Sequence, residues 1–293
     1  MKAKIPILCA GILLFVATAA QATLDMNFYG DAVIQEGDSY SNVKIYDTPP
    51  GHTTVNMTGG VVDSLGSYDQ STLNVSGGNI FNATMRDSST INISGLAEMY
   101  SVSGYGQATI NISGGNILGA ETRDSTTTMT ISSNGSFTGV LAGGVLTISG
   151  NPTVDTVFVA RTLTISGDPT IENLSLGFLG NIQNGTIGVL HLGHTSIVNL
   201  FGGNTMNVVP SGPGRSEQPL PFAGEVNVYG YNLVKTDSGG IYGYGQVYGS
   251  YLDGTEFSVD LGEGIYPHVN LIPEPATILL LTLGVFFVKR NHN

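Results

Sequence analysis

Small polar and apolar residues alternate in a stretch that returns at near-constant spacing along the chain. Residues 72–78 read Thr-Leu-Asn-Val-Ser-Gly-Gly. Successive starts of related stretches lie 18, 18, 19, 19, 17 and 17 residues apart. A period this short indicates supersecondary units that stack on one another. The close copies begin at Thr54, Thr72, Thr90 and Thr109, and the looser ones begin at Thr128, Val145 and Thr162.

Each stretch has the period of two that is typical of a β-strand with one buried face. The buried positions carry Leu, Ile, Val or Met, and the glycines that follow permit the positive φ of a sharp corner. A second apolar run comes next, such as 80–85, and then a polar corner, such as 87–89. One unit cannot bury its apolar face alone. The pattern therefore predicts an all-β fold, a single-stranded β-solenoid, for which we expect a right-handed coil.

The outward positions of the aligned repeats form two polar rows. In a stack of parallel strands such rows become ladders whose side chains can exchange hydrogen bonds. Their hydroxyls and amides can also bond sugar hydroxyls directly or through water, so these residues are the predicted binding face. The first row is Thr54, Thr72, Thr90, Thr109 and Thr128, and the second is Asn56, Asn74, Asn92 and Asn111.

Changes in composition divide the remainder of the chain. The start is basic and then apolar, and Ala20 and Ala22 form an A-x-A cleavage site, which together indicate an export signal. A solenoid also needs an atypical end to cover its first turn. The predicted segments are a signal peptide (1–22), an N-terminal cap (23–52), the solenoid (53–209), a Pro/Gly linker (210–223), a small Tyr/Gly-rich β unit (224–271) and a C-terminal sorting signal (272–293).

The small β unit differs from the solenoid because it is rich in tyrosine and glycine. Its Asp253-Gly254 pair predicts the turn of a hairpin. The tyrosines have two interpretations: they pack a small sheet that closes the coil, or they form a platform on which sugars stack.

Charge and cysteine content exclude several classes of function. Only 11% of the residues are charged, and the formal net charge is −12. A nucleic-acid-binding protein needs a basic surface to neutralise phosphate, so nucleic acid is not an expected partner. Cys9 lies inside the predicted signal peptide, and the mature chain would have no cysteine for disulfides, thiolate metal sites or nucleophilic catalysis.

Candidate acids and bases are few. Arg86-Asp87 and Arg123-Asp124 occupy the same corner of the repeat, two units apart, and predict exposed ion pairs of little energetic weight. Asp69 shares that corner, but the repeat between the two pairs has Tyr-Gly there and does not complete a row of carboxylates.

The histidines and the remaining motifs add no chemistry. His191 and His194 lie three residues apart on a strand-like stretch and so point to opposite faces, which does not make a zinc site. The sequence contains no activated nucleophile, phosphate-binding loop or cofactor fingerprint. We therefore expect no catalytic residue, no cofactor, no metal and no enzymatic activity.

The C-terminus carries three elements in order. Pro273-Glu274-Pro275 precedes the apolar run 276–288, and the basic pair Lys289-Arg290 follows it. This end resembles the PEP-CTERM sorting signal. The resemblance implies a C-terminal transmembrane helix, transient anchoring in the inner membrane, and processing by an exosortase in bacteria with exopolysaccharide systems. The basic pair agrees with a cytoplasmic stop.

The repeats, the two signals and the resemblance give one functional expectation. The chain is an exported, non-catalytic protein of the cell surface or extracellular matrix, with a structural or adhesive role. Its partners are the exosortase, then exopolysaccharide or like chains. Two alternatives remain open: a carbohydrate-active β-helix enzyme of the lyase or hydrolase kind, and an ice-binding solenoid, since the Thr row resembles the outward Thr ranks of such proteins.

Overall fold

The computed structural model describes residues 24–211, 222–240 and 244–273. Within these ranges the chain is almost entirely β-strand and turn, and its one helical element is a short 3-10 helix at Tyr266–His268. The strands form a β-solenoid of about ten turns, as the sequence predicts. The predicted signal helix and C-terminal transmembrane helix lie outside the described residues. The right-handed sense of the coil stays a prediction.

Two kinds of strand alternate along the solenoid. The short strands have four residues and correspond to the repeated stretch in the sequence, whereas the long strands have seven and follow the glycine corner. The short strands are β4 (Thr54–Met57), β6 (Thr72–Val75), β8 (Thr90–Ile93), β10 (Thr109–Ile112), β12 (Thr128–Ile131), β14 (Val145–Ile148), β16 (Thr162–Ile165), β18 (Leu179–Ile182) and β20 (Ile197–Leu200). The long strands are β3 (Ser39–Ile45), β5 (Val61–Ser67), β7 (Asn79–Met85), β9 (Glu98–Gly104), β11 (Asn116–Thr122), β13 (Ser136–Ala142), β15 (Thr153–Val159), β17 (Thr170–Leu176), β19 (Thr186–Leu192) and β21 (Asn204–Pro210).

Every strand of the coil pairs in parallel with the strand one turn further on. In β4 and β6, Thr54 lies beside Thr72 and Asn56 lies beside Asn74. The long strands stack in the same way, and β5 pairs with β7. Equivalent residues of successive turns therefore form columns that run along the coil axis.

The core is formed by the inward positions of both kinds of strand. In the short strands the second and fourth residues are buried, for example Leu73 and Val75. In the long strands from β5 to β19 the second, fifth and seventh residues are buried, so two consecutive residues, such as Leu118 and Gly119 of β11, face outward. Strand alternation cannot place two neighbours on the same side of a straight strand. Each long strand therefore bends between its third and fourth residues, a feature that the sequence reading missed.

Glycine makes the corner after the short strand. Gly78 has φ of 87°, a conformation that residues with a side chain rarely adopt. A Cβ atom on the preceding Gly77 would lie 2.6 Å from the carbonyl oxygen of Thr58 on the previous turn. The Gly-Gly pair thus serves two needs at once, a left-handed corner and close approach of stacked backbones.

The corner after the long strand uses a left-handed residue that need not be glycine. Asp69 has φ of 60° and Asp87 has φ of 58°, and the next turn has Gly106 at φ of 69°. Left-handed backbone costs an L-residue roughly 1–2 kcal/mol, and Asp is among the residues that tolerate it best. Two of these three corners therefore hold strain that the third avoids.

The N-terminal segment predicted to be a cap contains strands that pair with those of the coil. These are β1 (Leu24–Phe28) and β2 (Ala32–Ile34). The strand β1 pairs in parallel with β3, and β2 pairs in parallel with β4. Within the described residues, the parallel pairing of the coil already includes Leu24, ahead of the predicted start at residue 53.

The C-terminal β unit also shares the ladder. It consists of β22 (Glu225–Thr236), β23 (Gln246–Tyr251), β24 (Glu256–Leu261) and β25 (Val269–Pro273). The first part of β22 stacks on β20, and β25 stacks on β22, both in parallel. The second part of β22 pairs antiparallel with β23, which pairs antiparallel with β24. Segment 224–271 is thus a continuation of the coil with an inserted meander.

The predicted hairpin turn at Asp253-Gly254 is present between β23 and β24. Gly254 has φ of 87°, and the Asp253 carboxylate accepts a hydrogen bond from the Thr255 backbone N–H at 2.9 Å. Beneath the turn, the buried ring of Tyr251 stacks on Phe257 with centroids 4.1 Å apart. Burial raises the pKa of Tyr251 far above its ordinary value. The Tyr251 hydroxyl has no hydrogen-bond partner within the described ranges.

Candidate functional site

The structure brings the predicted polar rows together on the outward face of the short strands. The Thr row, formed by Thr54, Thr72, Thr90, Thr109 and Thr128, runs in register through five turns. The Asn row, formed by Asn56, Asn74, Asn92 and Asn111, runs beside it through four turns. Strand pairing therefore places both rows as the repeat predicts.

The amides of the Asn row are bonded to one another. Nδ2 of Asn74 donates to Oδ1 of Asn56 at 2.9 Å, Asn92 donates to Asn74 at 2.8 Å, and Asn111 donates to Asn92 at 2.9 Å. An amide offers two donors and two acceptor lone pairs. An interior member of the row thus keeps one N–H and one lone pair for other partners. The row is primarily a brace along the coil axis.

A second run of the same ladder lies near the C-terminus and was missed by the sequence reading. Asn199 donates to Asn181 at 2.8 Å, Asn227 donates to Asn199 at 3.0 Å, and Asn270 donates to Asn227 at 2.9 Å. Register places this run in the same column as the first one, with threonines at the three turns between them. The signal was an Asn at the third position of β18, β20 and β22 and at the second position of β25, hidden by the uneven spacing of the last turns.

The Thr row does not continue along the whole coil. Val145 takes its place in β14, and Leu179 and Ile197 take its place in β18 and β20. The outward face therefore has hydroxyls at one end and apolar side chains at the other. The Thr row on which the ice-binding alternative was based is therefore interrupted.

A groove on the neighbouring face was not foreseen. Phe81, Tyr100 and Leu118 are the third residues of β7, β9 and β11, and they are 55%, 52% and 44% exposed. The rings of Phe81 and Tyr100 are stacked, with centroids 4.7 Å apart and planes 12° apart. These side chains form one apolar wall that spans three successive turns.

The opposite wall of this groove is polar. Asn79, Glu98 and Asn116 are the first residues of the same three long strands, and all are exposed. The second residues, Ile80 and Met99 among them, are buried beneath the floor. Together with Val61 and Asp63 of the preceding turn, the walls enclose an open depression of about 470 Å³. We call it the aromatic groove.

The predicted ion pairs of the arginine corner are not formed as expected. Nε of Arg123 lies 2.8 Å from a carboxylate oxygen of Glu121, two residues earlier in the chain, in place of the predicted Asp124. This hydrogen bond raises the pKa of the Arg123 guanidinium above its ordinary value. The guanidinium groups of Arg86 and Arg123 lie 5.1 Å and 5.6 Å from the centre of the Tyr105 ring. The corner is a cation–π stack across three turns.

The aspartates of this corner bond to the backbone of the turn before. The Asp124 carboxylate accepts the Gly106 N–H at 2.5 Å, and the Asp87 carboxylate accepts the Asp69 N–H at 3.4 Å. Carboxylates used in this way hold the corner in place. They do not converge on a common point as a pair of catalytic acids must.

Asp47 plays the same structural part near the N-terminus. Its carboxylate accepts hydrogen bonds from the backbone N–H groups of Thr53 and Gln70 at 2.7 and 3.2 Å, and it lies 3.0 Å from Nδ1 of His52. Burial by itself raises the pKa of Asp47, but the bonds from His52, Thr53 and Gln70 together outweigh it. The pKa of Asp47 is consequently lowered.

The two histidines that lie three residues apart in the sequence, His191 and His194, have different surroundings. His191 is half-buried on β19, and desolvation lowers its pKa, whereas His194 is exposed in the turn that follows. Within the described ranges, no three His, Cys, Asp or Glu side chains are grouped so that they could hold a metal ion.

Of the predicted processing sites, the structure describes only the first residue of the sorting motif. Pro273 is exposed, ends β25 and pairs with Gly230 of β22. Nζ of Lys235 donates to the carbonyl oxygens of Tyr266 and Val269, both at 3.1 Å, and so holds the segment that leads to it. Ala20, Ala22, Glu274, Pro275, Lys289 and Arg290 lie outside the described residues. None of the helical structure in the described part of the chain is long and apolar enough to span a bilayer.

In comparisons with known proteins, the chain matches no family model, no curated protein and no solved structure.

Proposed function

We propose that the protein is an exported, non-catalytic solenoid that an exosortase delivers to the cell surface, where it is a structural or adhesive component of an exopolysaccharide-containing layer. One observation carries the proposal. The strands that the structure describes run from Leu24 to Pro273. They begin two residues after the predicted signal-peptide site at Ala22, and the last of them ends on Pro273, the first residue of the Pro273-Glu274-Pro275 motif, so a cut after Ala22 and a cut after Pro273 leave every described strand whole.

The stacking of the coil suits a structural role. Side chains bond along the axis in several columns, among them the Asn ladder and the aspartate corner. Each turn needs only its neighbours for support, so stability accumulates with the number of turns. A rod of this kind bears load along its axis and presents the same chemistry repeatedly, which serves a matrix component.

The non-catalytic part of the proposal rests on how the candidate groups are used. Asp87 and Asp124 bond to backbone N–H groups, and Arg123 is paired with Glu121. General acids and bases need a proton-transfer partner at a convergent site, with a pKa near the working pH. Asp87 and Asp124 are thus occupied in holding corners.

The export and sorting part is tested by mass spectrometry of the protein recovered from its native host, with both termini resolved. The expected protein begins at Thr23 and ends within Pro273–Pro275. A chain that retains Asn293 would contradict sorting by an exosortase, and one that retains Met1 would contradict export.

The adhesive and non-catalytic parts are tested with the purified exported protein and the host's own exopolysaccharide. Co-sedimentation with the polysaccharide is expected, without new reducing ends or unsaturated products. Release of such products would favour the carbohydrate-active enzyme instead, and absence of binding both to the polysaccharide and to other copies of the chain would refute the adhesive role.

A further inference from the structure

The aromatic groove crosses successive turns at one position of the coil. Its walls come from β5, β7, β9 and β11, so it runs along the coil axis across three inter-strand spacings, or about 14 Å. Beyond Leu118 the apolar wall ends, because the next residue in its column is Thr138. The groove is a bounded site of defined length.

We propose that this groove binds a linear, uncharged polysaccharide whose chain lies parallel to the coil axis. The inference rests on the proposed adhesive function and names the ligand class and the residues that hold it. The apolar wall is Phe81, Tyr100 and Leu118, and the polar wall is Asn79, Glu98 and Asn116.

The chemistry of the two walls matches the two kinds of surface on a sugar. A pyranose ring has apolar C–H surface and a rim of hydroxyl groups. The Phe81 and Tyr100 rings and Leu118 offer apolar contact to the former, while Asn79 and Asn116 offer amide donors and acceptors to the latter. Large aromatic side chains more than half exposed on a regular strand have no role in the core, and a contiguous apolar patch rimmed by polar residues marks a binding surface.

The charges at the groove select against acidic chains. Its charged lining residues are Asp63 and Glu98, both carboxylates, and the protein as a whole has a formal charge of −12. A uronate or sulfated polymer would meet like charge at one end of the groove, on Asp63 of β5, and again within it, on Glu98 of β9. The carboxylates instead accept hydrogen bonds from neutral sugar hydroxyls, and such charge-assisted bonds are the stronger kind.

The backbone selects against an extended peptide. Peptides that bind sheets add a strand to an exposed edge and use its free N–H and C=O groups. At this groove the floor is the face of the sheet, and β5, β7, β9 and β11 are each already paired on both sides. The ligand must therefore bind through side chains, as a sugar chain does.

The test uses the full chain, with titration against uncharged linear hexasaccharides such as cellohexaose, laminarihexaose and maltohexaose, and against a hexamer of galacturonic acid. Phe81→Ser combined with Tyr100→Ser is expected to weaken binding of the preferred neutral sugar at least ~10-fold. The matched control is Phe158→Ser, since Phe158 is 45% exposed on the long strand β15 but lies outside the groove. It should bind as the unmodified protein does. Far-UV circular dichroism reports whether each variant keeps the coil.

A second variant tests whether the carboxylate of Glu98 disfavours acidic polysaccharides. Glu98→Gln retains the shape of the groove and removes one carboxylate, so it is expected to narrow the preference for neutral over acidic hexamers by several-fold. Stronger binding of the galacturonate hexamer than of every neutral one by the unmodified protein would overturn the inference.

The outcomes separate the groove from the wider function. If the unmodified protein binds glycan and the double variant binds it equally well, the groove is not the site while the adhesive role stands. If the protein co-sediments with its host's exopolysaccharide yet binds none of the neutral hexamers, the ligand class is wrong. Binding to no glycan at all would overturn the groove proposal, and it would overturn the adhesive role as well if the protein also failed to bind other copies of its own chain.

Discussion

Replacing Asn92 tests whether the Asn ladder holds the solenoid together. Asn92 occupies the interior of the row, where it donates to Asn74 at 2.8 Å and accepts from Asn111 at 2.9 Å. Asn56 stands at the end of the row and accepts a single bond from Asn74. Truncation of the two residues to alanine therefore removes two ladder bonds in one case and one in the other.

The expected magnitude follows from burial. A net hydrogen bond contributes about 0.5–1.5 kcal/mol, and the penalty is smaller where water can replace the lost partner. Asn92 is half-buried whereas Asn56 is exposed. We expect Asn92→Ala to cost ~1–2 kcal/mol and Asn56→Ala to cost under ~1 kcal/mol. The loss of stability in Asn92→Thr should lie between these two values, because threonine favours a strand and Thr130 occupies the same column two turns further on.

Amide hydrogen exchange is the appropriate assay, because a long repeat array need not unfold in one step. Protection of residues 91–93 reports the local free energy of opening, and the double variant Asn74→Ala/Asn92→Ala gives the coupling of the pair, expected at ~0.5–1 kcal/mol. Equal losses of protection in Asn92→Ala and Asn56→Ala, with no coupling to Asn74, would refute the view that the ladder braces the coil.

Three further predictions concern the corners and the C-terminal meander. Asp69→Gly should raise the free energy of unfolding by ~0.5–1 kcal/mol in urea denaturation, because it relieves a left-handed corner. Gly106→Ala at the equivalent corner should lower the free energy of unfolding by ~1 kcal/mol or more. Equal changes in the two variants would contradict the inference that the Asp69 backbone is strained. The lowered pKa of Asp47 means that its contribution to stability is fully present above the ordinary aspartate pKa of ~3.9 and is lost as the pH falls through the lower folded value. Asp47→Asn should therefore lower the melting temperature at pH 7 and flatten its acid dependence, which a thermal scan between pH 2 and pH 7 measures. Tyr251→Phe removes a buried hydroxyl without a partner in the described ranges and should be neutral or stabilise the protein by ~1 kcal/mol. In an alkaline titration followed by tyrosine absorbance, the variant should lose the fraction of tyrosine that resists ionisation. Clear destabilisation would show that the hydroxyl is hydrogen-bonded.

The short strands could be predicted from sequence because one local rule governs them. Inward Leu73 and Val75 and outward Asn74 follow strict alternation, and the constant period fixes which residue stacks on which. The long strands follow the rule less well. Phe81-Asn82 and Leu118-Gly119 interrupt the alternation with different residue types in each turn, so the bend has no fixed sequence signature.

The remaining features depend on pairing over unequal distances. Asn227 stacks on Asn199 across 28 residues, and Asn270 stacks on Asn227 across 43, because an antiparallel meander separates those turns. A search for a constant period cannot align them. The aromatic groove escaped notice for a related reason: Phe81 and Tyr100 become neighbours only once the register of the long strands is known.

Because equivalent residues form columns along the coil axis, the number of turns can change without a change in the contacts that join one turn to the next. Residues 145–161 form one complete turn, and the residues on either side already match: without them Thr162 would follow Gly144, and Thr164 would stack on Thr130 as Thr147 does now. A deletion of this kind shortens the rod by one strand spacing, about 4.8 Å, and leaves the groove and both ends unchanged. Duplication of the same turn lengthens it by an equal step. The length of the coil is thus set by the number of repeats in the sequence, one turn at a time, while the contacts between the remaining turns stay the same.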